Sequence, residues 1–144
     1  MRASELMTPN VRTCGPDDTV HDAARQLVEE DCGSLPVVES GKVVGILTDR
    51  DITVRVVATG KNPKSTRVRD CMTDPVTTCN AEDDLESVLK RMRERQVRRV
   101  PVVDAGGQLL GIIATADILL KTERGEKTLE TISQPTHATT KSHG

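Results

Sequence analysis

The chain has 144 residues, with 20 Lys and Arg against 22 Asp and Glu and a formal charge of −2. That balance argues against nucleic acid or an anionic membrane as an obligatory partner. There is no Phe, Tyr or Trp, which removes the aromatic platforms on which single-stranded nucleic acids stack and leaves aliphatic residues to fill the core.

A chain this long buries about two thirds of its unfolded surface, enough for one compact domain or two small fused ones. No stretch has the length or apolarity of a membrane span or leader, so the sequence predicts a soluble cytoplasmic protein. Residues 3–7 are expected to form a short helical lead-in and residues 11–14 a first strand. Asp17, Asp18 and Thr19 then cap a helix whose Val20, Ala23, Ala24, Leu27 and Val28 fall on one face at helical period. Cys32 and Gly33 end it, residues 35–38 form a second strand, Ser40-Gly41-Lys42 turns the chain, and residues 43–47 form a third.

The stretch Gly45-Ile46-Leu47-Thr48-Asp49-Arg50-Asp51-Ile52 runs from a buried strand straight into a helix start. Thr48 and Asp51 have the spacing of a capping box. The helix is expected to reach about Thr59, where Gly60 supplies a C-cap, and residues 61–67 with Asn62-Pro63 read as a polar linker. The order then repeats. Strands are expected at residues 76–79, 100–103 and 109–113, with a helix carrying Leu85, Val88, Leu89 and Met92 between the first two and a last helix over 115–121. From Gly125 onward the composition predicts a disordered tail.

The repetition is explicit in the residues. At an offset of 65, Met7-Thr8 matches Met72-Thr73, Val11 matches Val76, Thr13-Cys14 matches Thr78-Cys79, and Pro36-Val37-Val38 matches Pro101-Val102-Val103. After the single inserted residue Gly107 the offset is 66, and Gly45 to Ile52 matches Gly111-Ile112-Ile113-Ala114-Thr115-Ala116-Asp117-Ile118. Between Met7 and Ile52, 15 of 46 positions are identical to their partners, 11 of 35 before the insertion and 4 of 11 after it. Two long copies indicate a pair of packed pseudo-symmetric units, since a solenoid needs more repeats to bury its faces.

Each copy resembles a cystathionine-beta-synthase (CBS) domain, and together they resemble the tandem CBS pair or Bateman module in its stand-alone bacterial form. The resemblance rests on Met7-Thr8, Leu35 to Val38 and Gly45 to Ile52, and on Met72-Thr73, Val100 to Val103 and Gly111 to Ile118. It implies an α/β (α+β) fold of two β-α-β-β-α repeats about a pseudo-twofold axis. The corresponding division is a first domain at 1–60, the linker at 61–67, a second domain at 68–122 and the tail at 123–144. It also implies a homodimer formed through helices and a regulatory sensor, not an enzyme. Such pairs bind AMP, ADP, ATP or a related adenosyl ligand between the copies and use the Thr and Asp of the third strand-to-helix turn for phosphate and ribose. No obligatory cofactor is implied, and the output would pass to a separate effector protein.

Thr48 and Asp51 match both positions, with Arg50 between them. An ionised carboxylate has about four lone-pair sites, room for its own cap and for two ribose hydroxyls. The competing reading is a helix cap alone, contributing about 1 kcal/mol. In the second copy Ala114 replaces Thr48 while Asp117 keeps the place of Asp51, and Thr115 is a displaced substitute, so a weaker or empty second site is expected. Base-facing walls are expected from Thr13, Leu35 and Pro36, and from Thr78, Val100 and Pro101, all of which also fit simple core packing. Arg98 and Arg99 replace Gly33 and Ser34 just before a strand, within reach of a phosphate.

Two other classes compete. One is a purely structural or stress-associated dimer, and the other a nucleic-acid binder using the run from Lys90 to Arg99, although acidic neighbours favour a solvated helix face there. Cys14, Cys32, Cys71 and Cys79 lack C-x-x-C spacing and read as buried thiols, with a Cys14–Cys79 redox or metal pair as the alternative. No His has a partner suggesting acid–base or nucleophilic chemistry, and no metal site is expected.

Overall fold

The structure, a computed structural model, describes residues 1–122; the tail expected from Gly125 lies outside the described residues. The elements follow in the order α1 (Ala3–Leu6), β1 (Thr8–Pro9), α2 (Val20–Glu30), β2 (Ser34–Glu39), β3 (Lys42–Thr48), α3 (Asp49–Ile52), β4 (Cys79–Asn80), α4 (Leu85–Arg95), β5 (Arg99–Val103), β6 (Leu109–Ala114) and α5 (Thr115–Lys121). No helix among the described residues is long and apolar enough to cross a membrane.

Two compact units emerge. One, here the first-copy unit, is Arg12–Val76; the other, the second-copy unit, joins Met1–Val11 to residues 77–122. The chain crosses after Val11 and again after Val76, so each copy's leading segment belongs to the other copy's unit.

In the first-copy unit β2 and β3 form an antiparallel hairpin, with Leu35 opposite Leu47 and Pro36 opposite Ile46. The expected first strand over 11–14 reduces to a single parallel bridge from Cys14 to Val37, and Thr73 bridges Ile46 on the other edge. The second-copy unit repeats this order as a sheet, β1-β6-β5-β4. The hairpin bulges at matching places, between Val37 and Val38 and between Val102 and Val103.

Helix α2 starts at Thr19, whose hydroxyl accepts from the Asp22 N–H, and ends on Asp31 in the left-handed region at φ 51°. Its core line is Val20, Ala23 and Leu27, whereas Val28 is 80% exposed. A helix of three turns over a two-stranded hairpin covers a narrower stripe than five apolar positions require. Beneath it lie Leu35, Val37, Leu47, Val56 and Val68. Helix α4 is capped by Asp84, whose carboxylate accepts from the Ser87 N–H, a bond that holds its pKa below the usual range. Its Val88 and Met92 are fully buried with Val100, Val102, Ile113 and Ile118.

Beyond Ile52 the chain widens into one π turn over Thr53–Val57. Thr53 turns its hydroxyl back to the Asp49 carbonyl at 3.0 Å, the kind of side-chain competition that loosens a helix. Residues 61–67 are docked and not free. The Thr66 and Pro63 carbonyls accept from the Val20 and His21 N–H groups at 2.9 and 3.1 Å, closing the first turn of α2.

Candidate functional site

Strand β3 delivers Thr48 to the start of α3 in extended backbone, and the expected capping box forms in both directions. The Asp51 N–H donates to Thr48 Oγ1 and the Thr48 N–H to Asp51 Oδ2, each at 3.0 Å. Asp51 is only 8% exposed. A second residue joins it: the Thr73 hydroxyl lies 3.1 Å from Oδ1 and 3.3 Å from Oδ2. One backbone N–H and one hydroxyl use about half of the four lone-pair sites of a carboxylate.

Thr73 reaches this place because Gly45 has no side chain. A Cβ there would stand 2.7 Å from Met72 Sδ and 3.0 Å from the Thr73 carbonyl oxygen. The bare glycine admits the Met72-Thr73 backbone, which exchanges hydrogen bonds with Ile46 at 2.9 and 3.1 Å.

The second-copy unit rebuilds the arrangement around Asp117. Asp117 Oδ2 accepts from the Ala114 N–H at 2.8 Å and Oδ1 from the Thr8 hydroxyl at 3.2 Å. Gly111 admits Met7-Thr8 even more tightly, since a Cβ would lie 2.6 Å from the Thr8 carbonyl oxygen. Ala114 offers no hydroxyl, so α5 begins without a side-chain cap. Thr115 is half-buried as the first residue of α5.

The residues expected to wall a base lie on or beside the strands of these two units. Leu35 and Pro36 are buried, and Thr13 is set beside β2 by Cys14, whose N–H donates to the Pro36 carbonyl at 3.1 Å. Thr78 precedes β4, which pairs with β5, while Val100 and Pro101 are buried in β5 opposite Ile113 and Ile112. Arg50 is exposed on the first turn of α3.

Arg98 and Arg99 flank the strand-to-helix turn at Ala114 and Thr115. The Arg98 carbonyl accepts from the Thr115 N–H at 3.2 Å, and Arg99 stands opposite Ala114. In the first copy the Gly33 carbonyl accepts from the Asp49 N–H in the same way. Half-buried arginines thus stand where the first copy has Gly33 and Ser34, beside the helix start that lacks the hydroxyl. Arg91 turns inward, with Nη1 on the Thr78 carbonyl at 2.9 Å and on Asp83 at 3.2 Å, which shortens the basic stripe on α4.

Sequence reasoning marked Met7-Thr8 and Met72-Thr73 as repeat signatures but assigned no role to Thr8 or Thr73. The signal was available in the paired Met-Thr, which precedes Gly45 and Gly111 by spacings that differ only by the inserted Gly107. Its meaning required knowing that the leading segments exchange units.

All four cysteines are free thiols. Burial pushes Cys14 up to about 12 and Cys79 up to about 11, and raises Cys71 as well, so these groups are neutral at physiological pH. Among the described residues no group of three or more His, Cys, Asp and Glu is placed to hold a metal ion.

The chain is 33% identical over 133 residues to the CBS domain-containing protein YhcV of Bacillus subtilis, covering 92% of this chain and 94% of that one. It is 36% identical over 116 residues to the uncharacterized protein MK0525 of Methanopyrus kandleri, covering 80% of this chain and spanning 59% of that protein's length. The crystal structure of Hypoxic Response Protein I with two coordinated zinc ions matches at a TM-score of 0.78 and 32% identity, covering 85% of this chain and 99% of that one. That of CBSX2 in complex with AMP matches at 0.71 and 28%, covering 83% and 93%. The CBS domain family model matches residues 3–58 and again 68–123. The chain therefore belongs to the CBS-domain family, as a tandem CBS pair, a regulatory module with its two strand-to-helix turns at Thr48–Asp51 and Ala114–Asp117.

Proposed function

We propose that the protein is a sensor of an adenosine-containing ligand, AMP, ADP, ATP or a related molecule, bound first at the Thr48–Asp51 turn. The carrying observation is the state of Asp51: a carboxylate 8% exposed, held by the Thr48 N–H and the Thr73 hydroxyl, with about two lone-pair sites left. Two cis hydroxyls of a ribose fit that remainder. Thr48 Oγ1 accepts the Asp51 N–H and keeps its own proton to donate to a phosphate oxygen. Leu35, Pro36 and Thr13 supply an aliphatic wall for the base, with no aromatic ring needed. The likeness to CBSX2 in complex with AMP supports the ligand class.

The second site, around Asp117, binds more weakly because Ala114 has no hydroxyl to offer. Thr115, Thr78, Val100 and Pro101 are its remaining contacts, and Arg98 with Arg99 supplies positive charge toward phosphate in place of the hydroxyl. Ligand binding acts by favouring one conformation over another and passes to an effector protein. The protein works as a homodimer in the cytoplasm, without catalysis. Exposed Val54, Val57, Leu119 and Leu120, on the helical segments after β3 and β6, support self-association, and four free thiols suit a reducing compartment.

The test is calorimetric titration of AMP, ADP, ATP, NAD and S-adenosylmethionine into the wild type, Asp51→Ala and Asp117→Ala. Saturable binding that Asp51→Ala abolishes and Asp117→Ala largely spares is the expected result. No binding by any of the five would leave Thr48 and Asp51 as a helix cap and favour a structural, partner-docking dimer.

A further inference from the structure

Each unit holds its exchanged Met-Thr segment by one contact more than the glycine approach and the threonine hydroxyl. In the first-copy unit Arg55 Nη1 donates to the Met72 carbonyl at 2.9 Å and to the Cys71 carbonyl at 3.3 Å. In the second-copy unit Lys121 Nζ donates to the Met7 carbonyl at 3.1 Å. Positions 55 and 121 are related by the same offset of 66 that relates Gly45 to Gly111 and Asp51 to Asp117. Each cation stands four residues after its aspartate, on the same side of the helical segment. The chemistry recurs although the residue type does not, which is what a required positive charge at this place produces.

The geometry makes a closed circuit: α3 carries Asp51, Asp51 receives Thr73, and the backbone just before Thr73 is gripped by Arg55 from the π turn that continues α3. Charge-assisted bonds to carbonyls are stronger than neutral ones, and a guanidinium can serve two carbonyls where an ammonium serves one here. We propose that Arg55 and Lys121 are positioning residues of the ligand sites. They touch no ligand but fix the threonine hydroxyl, and through it the plane of the aspartate whose free lone pairs face the ribose. This rests on the nucleotide reading above. It also gives ligand binding a mechanical outlet, because the chain leaves each unit three residues beyond the held threonine, after Val76 and after Val11.

The experiment is titration of AMP into the wild type, Arg55→Met, Arg55→Lys, Thr73→Val and the Arg55→Met/Thr73→Val double variant, with amide exchange read at Ile46 and Thr73. Arg55→Met is expected to weaken AMP about fivefold, within what one charged hydrogen bond supplies, and Arg55→Lys to recover most of that. In the Thr73→Val background the same change should cost less than about twofold, because the group it positions is already gone. A penalty of equal size with and without Thr73, or no penalty, overturns the proposal; a staple of purely structural importance would give the former. Absence of AMP binding by the wild type would defeat the nucleotide reading instead. Exchange then still decides the grip: faster exchange of the Thr73 and Ile46 N–H groups in Arg55→Met is expected, and unchanged rates overturn it.

Discussion

Replacing Gly111 by Ala tests the exchanged segments directly, and Gly45→Ala is its internal control. An ordinary carbon-to-oxygen contact is about 3.3–3.6 Å, and the new Cβ at 111 would stand 2.6 Å from the Thr8 carbonyl oxygen and 2.8 Å from Met7 Sδ. Backbone must therefore retreat by about 0.8 Å, and Thr8 and Pro9 are paired to β6 at Ile112 and Gly111. At Gly45 the closest atom is the flexible end of Met72 at 2.7 Å, with the Thr73 carbonyl oxygen at 3.0 Å, so the backbone shift is about half as large. Overpacking costs about 1–3 kcal/mol, offset by about 0.4–1 kcal/mol of lost unfolded-state entropy. Gly111→Ala is expected to lose about 2 kcal/mol and Gly45→Ala about 1 kcal/mol in urea unfolding, at unchanged m. Both variants within 0.5 kcal/mol of the wild type, or a larger loss at Gly45, would refute the close approach of the Met-Thr segments.

Other outcomes follow from burial and charge. Cys14 and Cys79 have folded pKa values of about 12 and about 11, above the unfolded thiol value. Their contribution is therefore complete below about pH 9 and is lost as pH rises toward those values. Each should remove about 1.4 kcal/mol between pH 8 and pH 10, and Cys14→Ala should flatten the slope of urea-derived stability against pH. Met92→Ala, at a fully buried position, should cost about 2–5 kcal/mol by calorimetry or urea unfolding. Val28→Glu, at a position 80% exposed, should stay within about 0.5 kcal/mol of the wild type in the same assay. Val57→Glu with Leu120→Glu, at positions 67% and 81% exposed, should shift a dimer to monomer by light scattering; a dimer that survives would place self-association elsewhere.

Much of the architecture was legible because it rests on local rules. Thr48 and Asp51 form their capping box as the spacing predicts, and Thr19 caps α2 through its hydroxyl. The hairpins and the last helix follow from apolar runs and turn residues. The failures have physical causes. Val28 belongs to the apolar period of α2, yet period alone does not say how wide a neighbour covers the helix. The strand expected over 11–14 has a partner only at Cys14, because strand length is set by what lies alongside. Widening after Ile52 arises where Thr53 competes for a helix carbonyl, a contest whose winner propensity does not reveal.

The site was half legible for a deeper reason. Thr48 and Asp51 are three residues apart, so their pairing is a local fact written in one octapeptide. Thr73 lies 22 residues from Asp51, and Thr8 lies 109 residues from Asp117. A repeat detects sameness of the copies but is blind to which copy's segment completes which unit, since either assignment leaves the pattern unchanged. The glycines break that ambiguity. Gly45 is filled from Met72-Thr73 and Gly111 from Met7-Thr8, and Arg55 and Lys121 grip the same exchanged segments. Three unrelated kinds of contact, steric, hydroxyl-to-carboxylate and cation-to-carbonyl, thus select the same partner in both units. Their agreement makes the exchange a property of the sequence, and each aspartate is the point where a strand-to-helix turn meets the segment that leads to the other unit.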